Sequence, residues 1–353
     1  QIKEKNMKIL HCADLHLGVK NSKLPIDKMQ ILENEQIVAT HNLFDKAIDD
    51  GYDIVIIVGD LFHKKSVSNK IVNSFFDAVE RFNRPVLYIY GNHDEKFEFK
   101  NLPSNFIILN KDLPYYKLID CAFYHNQIDL DMLENVYDAK DNNILLAHGN
   151  LINSRDNDYI NLTEILNKKH FDYIALGHSH SFEKFEYLNN LAVYSGSLFS
   201  NGFDEIGDKG YVCVNIENKN IQLEFCPFAK RRYMKVQDDI TDIHDFSKLF
   251  NKTISCMSDI SKNDLVRIEL VGYFNQDSEK YLSLLKEKLD DYFYVEIIDK
   301  SKIKIDLDSI KNEELSFKAE FLKLVNESEQ DEMIKTKICM LGIEALKGEN
   351  LSL

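Results

Sequence analysis

The stretch Asp53-Ile54-Val55-Ile56-Ile57-Val58-Gly59-Asp60-Leu61-Phe62-His63 sets a run of Ile and Val against a polar tail that opens on a glycine. A short apolar, β-branched run bounded in this way reads as a strand. Similar runs recur at 8–13, 85–91, 143–147 and 173–177. Helical patterns separate several of them, as over 69–82, where Val72, Phe75, Phe76 and Val79 share one stripe. Nearly every strand then ends in a cluster rich in Asp, His, Asn and Gly. That layout predicts an α/β fold with its site at the strand ends.

Later strands, around 117–124, 192–194, 210–216 and 221–226, follow one another through short turns. They predict an antiparallel part of the same sheet system, hence a four-layer or sandwich-like domain and not a simple doubly wound sheet. The basic triplet Lys230-Arg231-Arg232 marks the expected boundary of a first domain, 7–229. A β-α-β unit within 230–308 is read from strands at 265–271 and 292–298 around a helix near 278–290. Two amphipathic helices, around 317–325 and 331–346, fall in a closing segment, 309–353.

Composition bounds the function. The chain has 353 residues, 44% hydrophobic and 29% charged, the profile of an ordinary globular protein. Five prolines and thirteen glycines argue against a long disordered tract. No apolar run approaches the roughly 20 residues that span a bilayer, and no signal peptide is read at the start. The fold is expected to begin at Met7, with 1–6 outside it. Six cysteines stand singly, without a C-x-x-C pair, so neither a zinc knuckle nor a disulfide framework is expected. A reducing, cytoplasmic setting and no membrane association are the corresponding expectations. The net charge of −15 argues against tight DNA binding by this chain alone, since phosphate neutralisation calls for basic surface.

Five clusters carry the chemistry: Asp14-Leu15-His16, Gly59-Asp60-Leu61-Phe62-His63, Gly91-Asn92-His93-Asp94, His148-Gly149, and Gly177-His178-Ser179-His180. In an extended chain residues i and i+2 point the same way, so Asp14 with His16, and His178 with His180, can each aim two groups into one pocket. Carboxylate, amide oxygen and imidazole without thiolate suit manganese, iron or zinc. These are more such side chains than one ion can use, and they fit two ions that share a ligand. A carboxylate bridges cations best, which points to Asp60. Two divalent ions against the charges of Asp14 and Asp60 leave a positive site, which favours an anionic phosphoester.

The ordered set D-x-H, G-D-x-x-H, G-N-H-D, H-G and G-H-x-H resembles the signature of the calcineurin-like metallophosphoesterases. Gly59-Asp60-Leu61-Phe62-His63 and Tyr194-Ser195-Gly196-Ser197 resemble its SbcD nuclease branch in particular. The resemblance implies a four-layer αββα phosphoesterase domain with a small α+β cap and a C-terminal helical pair. It implies one metal held by Asp14, His16, Asp60 and His180, and a second by Asp60, Asn92, His148 and His178. It makes His93, oriented by Asp94, the group acting on the leaving oxygen or the transition state, with His63 lining the site. The implied activity is a manganese-dependent 3′-to-5′ exonuclease on duplex DNA and an endonuclease on single strands and hairpins. The implied partners are DNA, a coiled-coil ABC ATPase of the SbcC type bound through the terminal helices, and a second copy of the chain.

Plainer readings stand beside these. A lone D-x-H usually caps a turn, and only five clusters in register favour metal. His11, His41, His125, His170 and His244 lack a motif and are expected in core or surface roles. Lys230–Arg232 can bind phosphate or serve as a solvated linker. The terminal helices can meet a partner or pack on the cap. A phosphatase or small-molecule phosphodiesterase on the same core is the rival function. The sequence does not reveal the residues that would contact DNA.

Overall fold

A computed structural model describes residues 6–63, 67–94, 99–152, 155, 157–241, 243, 245–274, 278–303 and 317–346. His244, residues 304–308 of the expected second domain and residues 309–316 and 347–353 of the closing segment lie outside them. The chain forms two compact units. One runs to Lys235 and adds Ile260–Arg267 and Tyr292–Tyr294; the other takes Val236–Asp259, Ile268–Asp291 and the remainder from Val295.

The first unit opens with β1 (Met7–Cys12), α1 (Ile26–Asp49), β2 (Ile54–Val58), α2 (Asn69–Phe82), β3 (Val86–Ile89) and β4 (Phe106–Ile108). It continues through β5 (Tyr115–Leu118), β6 (Cys121–His125), α3 (Leu130–Val136), β7 (Asn142–His148), α4 (Thr163–Lys168) and β8 (Tyr173–Gly177). Strands β9 (Glu183–Tyr187), β10 (Asn190–Tyr194), β11 (Gly210–Glu217) and β12 (Asn220–Pro227) follow. Two six-stranded sheets result, in the orders β12-β11-β1-β2-β3-β4 and β5-β6-β7-β8-β10-β9. β1, β2, β3 and β4 run parallel, and the β11–β12 hairpin adds antiparallel to β1.

The period of two along each strand builds the layers. In β2, Val55 and Ile57 face one way and join Phe44 of α1 and Phe75 and Val79 of α2 in a core. Ile54, Ile56 and Val58 face the other way and meet Ile144 and Leu146 of β7 between the two sheets. On the far face of β7, Leu145 and Ala147 pack with Leu133 of α3 and Ile165 of α4. Helix, sheet, sheet and helix are therefore stacked as the sequence predicted. All five residues of β2 are buried because both faces of its sheet are covered. The Ser68 hydroxyl caps α2 by accepting from Ile71 N, and Asn83 ends it in a left-handed conformation.

After β12 come β13 (Tyr233–Asp239), α5 (Phe246–Cys256), β14 (Leu265–Val271), β15 (Tyr273–Phe274), α6 (Ser278–Lys288), β16 (Tyr294–Asp299) and β17 (Lys302–Ile303). The β-α-β pattern is present, and β13 extends its sheet to three strands in the order β13-β14-β16. The chain closes with α7 (Phe317–Asn326) and α8 (Glu332–Leu346). Leu322 and Val325 of the first pack on Cys339 and Ile343 of the second, so the two form a hairpin with its own apolar seam. Among the described residues no helix is long and apolar enough to cross a membrane.

Candidate metal centre

The clusters sit where β1, β2, β3, β7 and β8 end, and their loops are tied by main-chain bonds. Asp14 N donates to Gly59 O at 3.1 Å and His16 N to Asp60 O at 2.9 Å, continuing the pairing of β1 and β2 beyond the strands. The backbone there is not extended. Asp14, His16, Asp60 and His178 have φ of 51°, 42°, 52° and 99°. Left-handed backbone is unfavourable for such residues and persists only when the surroundings impose it. Asp14 and His16 do reach one pocket, but by paired left-handed turns and not by the strand alternation expected from their spacing.

Two groups of ligand atoms converge, Asp14 with His16 and His180, and Asp14 with Asp60 and His148, each within 4.8 Å. Asp60 Oδ2 lies 3.7 Å from His16 Nε2 and 3.5 Å from His148 Nε2, between the two groups. Asn92 Oδ1 stands 3.1 Å from His148 Nε2. His178 donates its backbone N–H to Asp14, and its ring lies edge-on to that of His148 at 5.6 Å. The tight groups thus contain five of the seven proposed ligands, with Asn92 and His178 beside His148.

Hydrogen bonding decides which nitrogens face inward. His148 Nδ1 is 2.8 Å from Val58 O, and His180 Nδ1 is 2.7 Å from Glu205 Oε1. Carbonyl and carboxylate oxygens only accept, so each Nδ1 carries a proton and, whenever the ring is neutral, an Nε2 lone pair faces inward. His180 Nε2 then faces His16 Nε2 at 3.3 Å and Asp14 Oδ1 at 3.8 Å. The inward Nε2 atoms of His148 and His180, with the carboxylate oxygens of Asp14 and Asp60, make an oxygen and nitrogen donor set that fits a divalent transition ion.

The electrostatics agree. Burial pushes Asp14 well above the ordinary carboxylate range, although His148 and His180 pull it down. Burial acts on Asp60 in the same sense, but the hydrogen bond and charge of His148, with His16 and the His93 amide, outweigh it. For His148, burial opposes protonation and Asp60 and Asp14 override it, raising the pKa. The carboxylates thus draw a proton onto His148 that a divalent cation would replace.

His93 and His63 stand beside this pocket with rings stacked at 6.2 Å, and His16 meets them at 5.1 and 5.7 Å respectively. His93 is exposed, and its backbone N–H donates to Asp60 Oδ1 at 2.9 Å. Asp94 is buried, and its carboxylate accepts from Leu61 N at 2.6 Å and Gly91 N at 2.8 Å. It fastens the loop after β3 to the loop after β2, so any effect it has on the His93 ring acts through the backbone.

Glu205, behind His180, was not among the sequence candidates. It lies 25 residues downstream in a loop whose only signal is its acidic, glycine-containing composition. The basic triplet is tied into the fold by ion pairs, with the Lys230 side chain still 64% exposed. Lys230 and Arg231 pair with Glu35, Arg231 stacks 3.6 Å from the Phe293 ring, and Arg232 pairs with Asp264 and Asp208. His11 is a core residue bonded to Tyr173 Oη at 2.8 Å, His125 is buried, and His41 bonds Ser74 at 2.7 Å.

Residues 7–182 match the family model for the calcineurin-like phosphoesterases. A Bacillus subtilis protein described as uncharacterized metallophosphoesterase YhaO is 26% identical over 296 residues, covering 76% of this chain and 72% of that one. The SbcD component of nuclease SbcCD from Staphylococcus epidermidis is 27% identical over 287 residues, covering 67% and 74%. Among solved structures, purple acid phosphatase PPD1 of yellow lupin is similar at 15% identity and a TM-score of 0.41, covering 65% of this chain and 52% of that one.

Proposed function

Residues 7–182 are a calcineurin-like phosphoesterase domain, a hydrolase of phosphate esters from a family that uses divalent metals, and from that premise we propose that this chain is a manganese-dependent DNA nuclease of the SbcD type. The proposed reactions are 3′-to-5′ digestion of duplex ends and endonucleolytic cleavage of single strands and hairpins, in break repair or recombination. The observation that carries the hydrolytic reading is the convergence of Asp14, His16, Asp60, His148 and His180 on one pocket. DNA as substrate is supported by the similarity to the SbcD component of the SbcCD nuclease. That similarity covers 67% of this chain, so it reaches beyond the half spanned by the family domain.

In this reading Asp14, His16, Asp60 and His180 hold one ion, and Asp60, Asn92, His148 and His178 the other. Two divalent ions there would activate a water and stabilise charge on the phosphoryl oxygens. His93, at the exposed rim, donates to the leaving oxygen or stabilises the transition state, and His63 lines the phosphate site beside it. Asp94 keeps the His93 loop in place through Gly91 and Leu61. The sequence has no G-x-x-x-x-G-K-[ST] loop, so ATP-driven steps belong to an SbcC-type coiled-coil ATPase, met through α7 and α8. The chain itself pairs as a homodimer.

The rival reading, a metallophosphatase or small-molecule phosphodiesterase, draws on the net charge of −15 and on the pairing of Lys230, Arg231 and Arg232 with carboxylates. Hydrolysis of linear duplex DNA and of bis-p-nitrophenyl phosphate, each with manganese, separates the two. The nuclease reading expects both substrates to be cut. Turnover of the small diester alone would transfer the assignment to the rival.

A further inference from the structure

His148 and His180 face the same pocket with their rear nitrogens held by different partners. His148 Nδ1 donates to a neutral carbonyl, Val58 O, at 2.8 Å. His180 Nδ1 donates to a carboxylate, Glu205 Oε1, at 2.7 Å. Glu205 is held in turn. Its Oε2 accepts from Asn201 N at 3.1 Å, its Oε1 from Asn201 Nδ2 at 3.4 Å, and its backbone carbonyl from the Ser200 hydroxyl at 2.8 Å. Lys209 Nζ donates to the His180 carbonyl, so both the ring and the backbone of His180 are held by partners from the 200–209 segment.

A carboxylate behind a ligating imidazole fixes the tautomer, orients the ring and raises the basicity of the forward nitrogen. Loss of such a partner typically costs about 10- to 100-fold in metal affinity. A backbone carbonyl fixes the tautomer too but adds no negative charge. We propose that Glu205 is a positioning residue that makes the ion held by Asp14, His16, Asp60 and His180 the more tightly bound of the pair, so that the two positions fill in sequence. This rests on the dinuclear reading above, and it assigns Glu205 a part that acts through His180 and not on the substrate.

The test is calorimetric titration of manganese into the metal-stripped, full-length wild type and into Glu205→Gln, Glu205→Ala and Asn201→Ala, with thermal melts confirming folding. Wild type is expected to show a tight and a weak class. Glu205→Ala should weaken the tight class by about 10- to 100-fold and leave the weak class unchanged, with Glu205→Gln intermediate. Asn201→Ala removes side-chain support for the loop but leaves the carboxylate in place, so it should stay near wild type. Unchanged affinities in both Glu205 variants would overturn the proposal. So would an equal loss in Asn201→Ala, which would assign the effect to the loop and not to the carboxylate. If the alanine variant does not fold, the glutamine variant alone decides. A wild type that takes up no manganese would instead refute the dinuclear reading itself.

Discussion

Gly59 packs against the imidazole of His148 so closely that a β-carbon at position 59 would fall 2.1 Å from Nδ1. Its φ of 83° is also one that L side chains rarely adopt. Gly59→Ala should therefore cost about 1–2 kcal/mol in backbone strain and also push His148 off its bond to Val58 O. Gly51→Ala is the control, because Gly51 has φ 72° but open space around it. Both variants should melt earlier than wild type, and only Gly59→Ala should lose manganese uptake. Equal uptake by the two would separate the glycine from the site.

Asp60 Oδ2 lies between His16 Nε2 and His148 Nε2, so Asp60→Asn should weaken both metal positions and abolish hydrolysis. Elemental analysis should fall from up to two ions per chain towards none. His11→Ala sharpens the comparison. Removing His11 strands the buried Tyr173 hydroxyl at a cost of about 1–3 kcal/mol, so stability should drop while metal content per folded chain holds.

His93 is exposed beside the pocket, and it is its backbone N–H that meets Asp60. His93→Asn keeps that amide and removes the imidazole. The rate should fall by about 10² to 10⁴, the usual contribution of a positioned acid or charge stabiliser, with metal content and DNA affinity near wild type. Loss of metal in this variant would reassign His93 as a ligand.

How far the sequence revealed all this follows from which interactions are local. The apolar run of β2 and the polar clusters after five strands were legible because strand periodicity and motif spacing are written in consecutive residues. The long helix α1 was harder, since it buries Gln36 and Thr40 and exposes Ile26 and Val38, which blurs its stripe. The left-handed backbone at Asp14, His16, Asp60 and His178 was not legible at all. Only packing between loops from different strands imposes it. Glu205 and the partners of Lys230–Arg232 were missed for the same reason, because Glu35 and Asp264 reach the triplet through the fold.

Acid should weaken the fold through histidines outside the metal pocket. Burial lowers the pKa of His11 from 6.5 to about 3 and of His125 to about 4, and both are neutral in the native protein. A depressed native pKa means the unfolded chain binds the extra protons. The stability these residues confer is complete above pH 6.5 and is lost as pH falls towards 4 and then 3. Urea midpoints measured without metal should decline over that range, and His125→Gln should flatten the upper part of the slope. A midpoint independent of pH between 6.5 and 4 would mean that these rings charge freely in the folded state.

The terminal hairpin offers a test of the proposed partner that leaves the catalytic residues untouched. Leu322 and Ile343 are fully buried in its seam, whereas Leu324 and Ile334 are 61% and 43% exposed. Leu324→Asp and Ile334→Asp alter only that outer surface, so folding, metal binding and cleavage of bis-p-nitrophenyl phosphate should persist. If α7 and α8 receive the ATPase, the same variants should fail to recruit it and lose ATP-stimulated cleavage of long duplexes. Leu322→Asp would place a charge in the seam and should disrupt the hairpin itself. Salt gives an independent handle, since under the proposed nuclease reading so acidic a chain should alone release DNA steeply as ionic strength rises. Adding the ATPase should restore DNA binding to wild type and not to the outer-face variants. Full recruitment by Leu324→Asp and Ile334→Asp would move the contact to another surface of the chain.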